Sequence, residues 1–99
     1  MVLKKEQIRA CLNDVPQGKA FWCYDGREFR NLAELAAALT DMSQETYRHH
    51  VSGSNNDFSN WVRDVVGDAT LANQLAKATS RTAAAKAASA RLAWLKERL

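Results

Sequence analysis

The chain is poor in residues that break a helix or staple a fold. Among its 99 residues proline occurs once, as Pro16, and cysteine twice, as Cys11 and Cys23. A single proline among many alanines favours helix, because alanine loses no side-chain entropy there and proline interrupts the hydrogen-bond ladder. Two cysteines make no disulfide framework, and a free cysteine packs as a small hydrophobe. No apolar run reaches the roughly 18 residues of a membrane span, and no signal peptide is visible. The expectation is a soluble, cytoplasmic protein with free thiols and no contact with a membrane.

The usual chemical signatures are missing too. There is no Ser-His-Asp order, no cysteine-nucleophile pattern, no phosphate-cradling glycine loop and no zinc spacing. The four glycines, Gly18, Gly26, Gly53 and Gly67, each stand alone where a turn is expected. The two histidines, His49 and His50, are adjacent. On a helix they point about 100° apart, so they do not readily chelate one metal. Asp57 is the acid nearest to them in sequence on the C-terminal side, but an enzyme built on His49 or His50 with Asp57 also needs a pocket. A small domain has little room for one. No catalytic residue, metal or cofactor is expected.

What is present is globular in character: 46% hydrophobic and 25% charged residues, with three tryptophans. That length suits one domain, with a small core. The net charge of +3 is unevenly spread. Lys4, Lys5, Arg9 and Lys19 weight the start, and Arg81, Lys86, Arg91, Lys96 and Arg98 weight the end. Between them lie Glu34, Asp41, Glu45, Asp57, Asp64 and Asp68. Basic ends around an acidic middle suit an anionic partner, or the acidic middle of a second copy.

Periodicity places the elements. Residues 4–15 read as a helix with Ile8, Cys11, Leu12 and Val15 on one stripe. Residues 19–30 read as a β-hairpin about Asp25-Gly26, a dipeptide suited to a type I′ turn. Asn31 caps a helix whose stripe is Leu32, Leu35, Ala36 and Leu39, with Glu34 as its capping-box partner. Ser43 caps a short helix through His50, with Met42 and Tyr47 inward, and residues 52–56 read as a loop. Asn56 or Asp57 caps the next helix, striped by Phe58, Trp61, Val62 and Val65 and ended by Gly67. Asp68 caps another, with Leu71, Ala72 and Leu75 inward. Ser80 caps the last, from Arg81 to Leu99, with Ala84, Ala85, Ala88, Leu92, Leu95 and Leu99 on one face. Ala87, Arg91, Trp94 and Arg98 lie on another face. The alanine-rich stretch of 79–90 is expected to be exposed or to reach outward.

The expected fold is thus mainly α, of the α+β kind. Residues 1–78 form a small helical domain with one hairpin, and residues 79–99 form a basic helix, docked on that domain or extending from it.

Two groups stand out as surfaces. In the hairpin, alternation puts Phe21 and Cys23 on one face and Trp22 and Tyr24 on the other, beside Arg27 and Arg30. One small core cannot take both faces unless the hairpin is sandwiched. In the last helix, Trp94 has Arg91 three residues before it and Arg98 four after, the spacing of a cation–π cluster.

Residues 20–76 resemble a family of small uncharacterised archaeal and bacterial domains. The likeness rests on the aromatic strand with Gly26 and Phe29, on Leu32, Leu35 and Leu39, and on Met42, Glu45 and His49-His50-Val51. It continues through Asn56-Asp57-Phe58, Trp61-Val62, Val65, Gly67-Asp68 and Leu71-Ala72. The resemblance implies a small helical domain with a hairpin and implies no activity. The tail beyond residue 79 has no counterpart in it.

The reading that follows is a non-enzymatic binding module acting on a protein partner or a second copy of itself. Its contact residues are Trp22, Tyr24, Arg27, Arg30, Lys86, Arg91, Trp94, Leu95 and Arg98. The alternative is a protein that grips the phosphate backbone of DNA or RNA with its basic ends.

Overall fold

Oxygen-bearing caps set where most helices begin in the computed structural model, which describes residues 3–99. The first helix, α1 (Lys5–Leu12), instead opens with Gln7 Oε1 accepting from the Lys4 N–H at 2.9 Å. Its stripe buries Ile8 and Cys11. It stops at Leu12, sooner than periodicity implies. Pro16 disfavours helical backbone at Val15, and the Val15 N–H is instead donated to the Arg30 carbonyl at 2.7 Å.

Strands β1 (Phe21–Trp22) and β2 (Glu28–Phe29) form the expected antiparallel hairpin, with Phe21 opposite Phe29 and Trp22 opposite Glu28. The turn differs from the type I′ expectation. The Gly26 N–H donates to the Cys23 carbonyl, the Cys23 N–H to the Arg27 carbonyl, and only Gly26 has positive φ, at +94°. One glycine in the left-handed region closes a three-residue loop without straining Asp25.

Asn31 opens α2 (Leu32–Asp41) by accepting from the Glu34 N–H. Glu34 then reaches one residue further back than a capping box requires, to the Arg30 N–H at 2.8 Å. Ser43 opens α3 (Gln44–His50) through the Thr46 N–H. The segment read as a loop forms a second small hairpin, β3 (Val51–Ser52) with β4 (Asn55–Asn56), turning at Gly53 with φ +57°. Asn56 opens α4 (Asp57–Trp61), and its Nδ2–H also donates to the Leu75 carbonyl.

The chain then runs on as one π-helical turn, Val62–Val66, ended by Gly67 with φ +89°. An i→i+5 ladder adds a residue to the turn. The inward position therefore moves from the expected Val65 to Val66, and Val65 is left half-buried. Asp68 opens α5 (Ala69–Lys77), and Ser80 opens α6 (Arg81–Glu97).

α6 lies along α2 and also meets α5 and α1. Ala84, Ala85 and Ala88 are buried there, and small side chains let two helix backbones come close. Arg81 donates to the Leu39 and Thr40 carbonyls at 2.7 and 2.9 Å. It thereby supplies a cation and two donors to the unpaired end of α2. Residues 79–90 are thus docked, which corrects the expectation that they reach outward. The Cα radius of gyration of 12.6 Å is that of a single closed body.

The centre holds Leu35, Leu39, Leu71, Leu75 and Leu95, all fully buried, with Phe29, Phe58 and Val62 around them. Both thiols are free and buried, and burial pushes each above its ordinary pKa. No helix among the described residues is long and apolar enough to cross a membrane. The fold is mainly α with a minor β component, and its long C-terminal helix is part of the core.

Candidate functional site

The strand period of two decides what the first hairpin shows to solvent. Phe21, Cys23 and Phe29 turn inward, where the Phe21 ring stacks on Phe29 and Phe58 at centroid distances of 5.5 and 5.1 Å. Trp22 and Tyr24 turn outward and remain 71% and 53% exposed. Among the described residues no helix covers Trp22, and Tyr24 has His49 of α3 against one side of its ring. They are the largest exposed aromatic side chains among the described residues.

The two adjacent histidines both serve Tyr24. The His50 Nε2 accepts the Tyr24 backbone N–H at 2.9 Å, and its Nδ1 lies 3.0 Å from Asp57 Oδ2. An Nε2 that accepts carries no proton, so the proton sits on Nδ1 and is donated to Asp57. The ring is buried edge-on to Phe21 and Phe58. His49, pointing elsewhere as neighbours on a helix must, stacks on the Tyr24 ring at a centroid distance of 4.0 Å. One histidine pins the backbone of Tyr24 and the other covers one side of its ring.

This arrangement bears on the reading of His49 or His50 with Asp57 as catalytic groups. Nε2 is the atom a general base would offer to a substrate, and here it is buried and already bonded. Burial opposes the charge on Asp57, but hydrogen bonds from His50 and Asn55 outweigh it and hold its pKa below the ordinary value. Through the Tyr24 N–H the pair ties the turn after β1 to α3 and α4. No three potential metal ligands of the His, Cys, Asp or Glu type converge among the described residues.

Beside Trp22 the outer face of the hairpin borders a groove of about 540 Å³. Ala20 and Trp22 on one side and Glu28 and Arg30 on the other form its floor, and residues 14–18 form a wall. The wall is anchored at both ends. Val15 donates to Arg30, the Lys19 N–H donates to the Pro16 carbonyl, and the Trp61 indole N–H donates to the Lys19 carbonyl at 2.8 Å. Asp14 and Glu28 were not singled out from the sequence. Glu28 shares its strand parity with Arg30, which is the one local sign that it faces the groove.

The basic residues of this region are not equal. Arg27 binds Asp25 at 2.8 Å and Asp41 at 2.7 Å. The Arg27 guanidinium, foremost through its hydrogen bond, holds Asp25 below the usual carboxylate range. Arg30 is exposed, with only a long 3.7 Å contact to Glu28.

The second group of candidates, on α6, separates. Trp94 is half-buried, with the Arg91 and Arg98 guanidinium carbons 4.5 and 3.7 Å from the ring centroid. The cation–π cluster implied by the spacing is therefore formed. Arg91, however, grips the buried Asp68 with two hydrogen bonds, at 2.8 and 3.1 Å. Leu95 is fully buried in its own core. Neither side chain is on offer at the surface, because the helix that carries them docks on α1, α2 and α5. Lys86 and Arg98 remain exposed.

Compared with protein-family models, with curated proteins and with solved structures, the chain matches none of them, so geometry alone carries the functional reading.

Proposed function

We propose that this chain is a non-enzymatic protein-interaction module, at work in the cytoplasm, that docks a partner on the outer face of its first hairpin. The observation that carries the reading is the pair Trp22 and Tyr24. Both are exposed, Trp22 on β1 where it pairs with β2, and Tyr24 in the adjoining turn where His50 holds its backbone N–H. Aromatic rings on a fixed backbone, with Trp22 at the rim of a preformed groove, lose little entropy on binding and bring large apolar area, which is why tryptophan and tyrosine dominate interface hot spots. Tyr24 is braced by His49, and the groove wall is anchored. The surface is therefore preorganised, which lowers the cost of association.

The nucleic-acid alternative has support from Lys86, Lys96 and Arg98, all exposed on α6. It is the weaker reading. Arg91 and Arg27 are engaged by Asp68, Asp25 and Asp41 within the chain, and carboxylates share the aromatic face. A phosphate track needs uncompensated cations.

A random-peptide library displayed on phage tests the docking face. Selected peptides are expected to bind the parent and to bind Trp22→Ala and Tyr24→Ala about tenfold or more weakly, as for truncated hot spots. Peptides indifferent to both substitutions would overturn the assignment. Salt-sensitive binding of mixed-sequence duplex DNA, lost on replacing Lys86, Lys96 and Arg98 by Gln, would favour the nucleic-acid reading instead.

A further inference from the structure

We infer that the groove beside Trp22 takes a cationic side chain, an arginine or a lysine, from a segment of the partner protein. This rests on the hairpin face being the docking surface and names what that surface selects.

The charge around the groove is unbalanced. Asp14 and Glu28 line it against Arg30 alone. Asp14 accepts from the Asn31 Nδ2–H at 2.7 Å and makes no ion pair among the described residues. Glu28 meets only the Arg30 Nε, at 3.7 Å, which is too long for a hydrogen bond. Arg30 is itself largely exposed. Two carboxylates with acceptor capacity to spare thus flank the exposed face of Trp22.

Those are the two halves of a site for a cation. The indole ring attracts positive charge through its quadrupole, and the carboxylates accept the N–H groups of a guanidinium or ammonium. An anionic side chain would meet the opposite. It would face both carboxylates and have only Arg30 to recognise it. A purely apolar side chain would leave the carboxylates desolvated without a partner, which is costly. Shape agrees with this choice. Gly18 and Ala20, which line the groove, carry no side chain and a single methyl, and its volume of about 540 Å³ leaves room for the stem of a long side chain. The chain already uses the same chemistry internally, where Arg98 lies 3.7 Å over Trp94. At Trp94 the chain's own guanidinium groups lie over the ring; at Trp22, among the described residues, none does, and Arg30 only lines the same groove.

The test is an NMR titration of the full-length chain with Nα-acetyl-arginine methylamide and, separately, Nα-acetyl-glutamate methylamide. The arginine probe is expected to move the Trp22 indole N–H and the amides of Gln17, Gly18 and Glu28 in a saturable way, and the glutamate probe is not. Trp22→Leu keeps apolar bulk but removes the π face and should weaken the arginine probe about two- to fivefold. Asp14→Asn with Glu28→Gln should weaken it further and make it insensitive to salt. Trp22 is exposed, so unchanged peak dispersion elsewhere verifies that these variants fold.

Equal response to both probes, or none to either, overturns the cation preference. If library peptides still depend on Trp22 in that case, the docking face stands and only its selectivity falls. If the peptides ignore Trp22 as well, both fall. Trp22-dependent self-association of the parent in sedimentation would name a second copy as the occupant and overturn the partner-segment assignment.

Discussion

Trp22 and Trp94 have similar neighbourhoods in the sequence, with arginines close by, yet the fold treats them oppositely. Trp94 is half-buried and engaged by its own chain. Arg91 and Arg98 lie over its ring, Arg91 is locked to Asp68, and the next residue, Leu95, is part of the core. Trp22 stands open, with its strand partner Glu28 and a groove beside it. The demands of Trp94 are met within the chain and those of Trp22 are not. A side chain that is costly to expose and is nevertheless left exposed on a rigid strand is where a partner is to be sought.

The comparison breaks most severely at Arg91. Asp68 is the buried carboxylate that caps α5, and Arg91 is its only cation among the described residues. Arg91→Ala leaves that charge buried and unpaired, which costs about 3–5 kcal/mol. In a domain with a total stability of only about 5–15 kcal/mol this is a large fraction. Urea denaturation followed by tryptophan fluorescence should show the midpoint fall steeply. A variant as stable as the parent would mean that the α6 cluster is a surface feature like the hairpin face.

The difference between the two tryptophans was only half visible in the sequence, for a physical reason. The outward turn of Trp22 and Tyr24 follows from strand alternation, a local property. So do the caps at Asn31, Ser43, Asp68 and Ser80, because a cap and its N–H lie within three residues. The Arg91–Asp68 pair spans 23 residues and is set by how α6 docks on α5. Alanine gave no guide to that docking, since an alanine-rich face suits both a close helix contact and water. The second hairpin was hidden because Val51-Ser52 and Asn55-Asn56 lack apolar alternation. The π turn was hidden because no residue type marks an extra residue in a ladder. His49 and His50 were visible as a pair, but their common service to Tyr24 depends on where β1 comes to lie.

The brace behind the open face can be loosened by acid. Asp57 has a depressed pKa in the folded state, so its contribution to stability is present above the ordinary carboxylate pKa of about 4. It is lost as the pH falls through the folded value. Thermal midpoints of the parent and of Asp57→Asn should therefore differ at about pH 6 and draw together as the pH falls below the ordinary carboxylate value of about 4. Convergence at both ends of that range would mean that the His50–Asp57 contact carries no weight. Parallel loss of Tyr24-dependent peptide binding in Asp57→Asn would tie the brace to the docking face.

A smaller effect is expected at Tyr47. Its hydroxyl is buried and has no hydrogen-bond partner among the described residues, and burial raises its pKa. Removing an unpartnered polar group restores no lost bond and relieves a desolvation cost of about 1–3 kcal/mol in part. Tyr47→Phe should be neutral or slightly stabilising in the same denaturation assay. A clear loss of stability would reveal a partner for that hydroxyl, such as a bridging water.

The least effect on folding is expected where the greatest effect on binding is. Trp22→Ala removes the most exposed large hydrophobic side chain, and its strand pairing runs through the backbone. Surface substitutions away from buried networks stay within about 0.5 kcal/mol. The same change at Trp61, buried and donating to the Lys19 carbonyl, should cost about 3–5 kcal/mol. Measured side by side, the two variants separate a tryptophan that holds the fold from one the fold only presents. If Trp22→Ala proved as destabilising as Trp61→Ala, the exposed face would be part of the folding core, and the case for a docking surface there would fail.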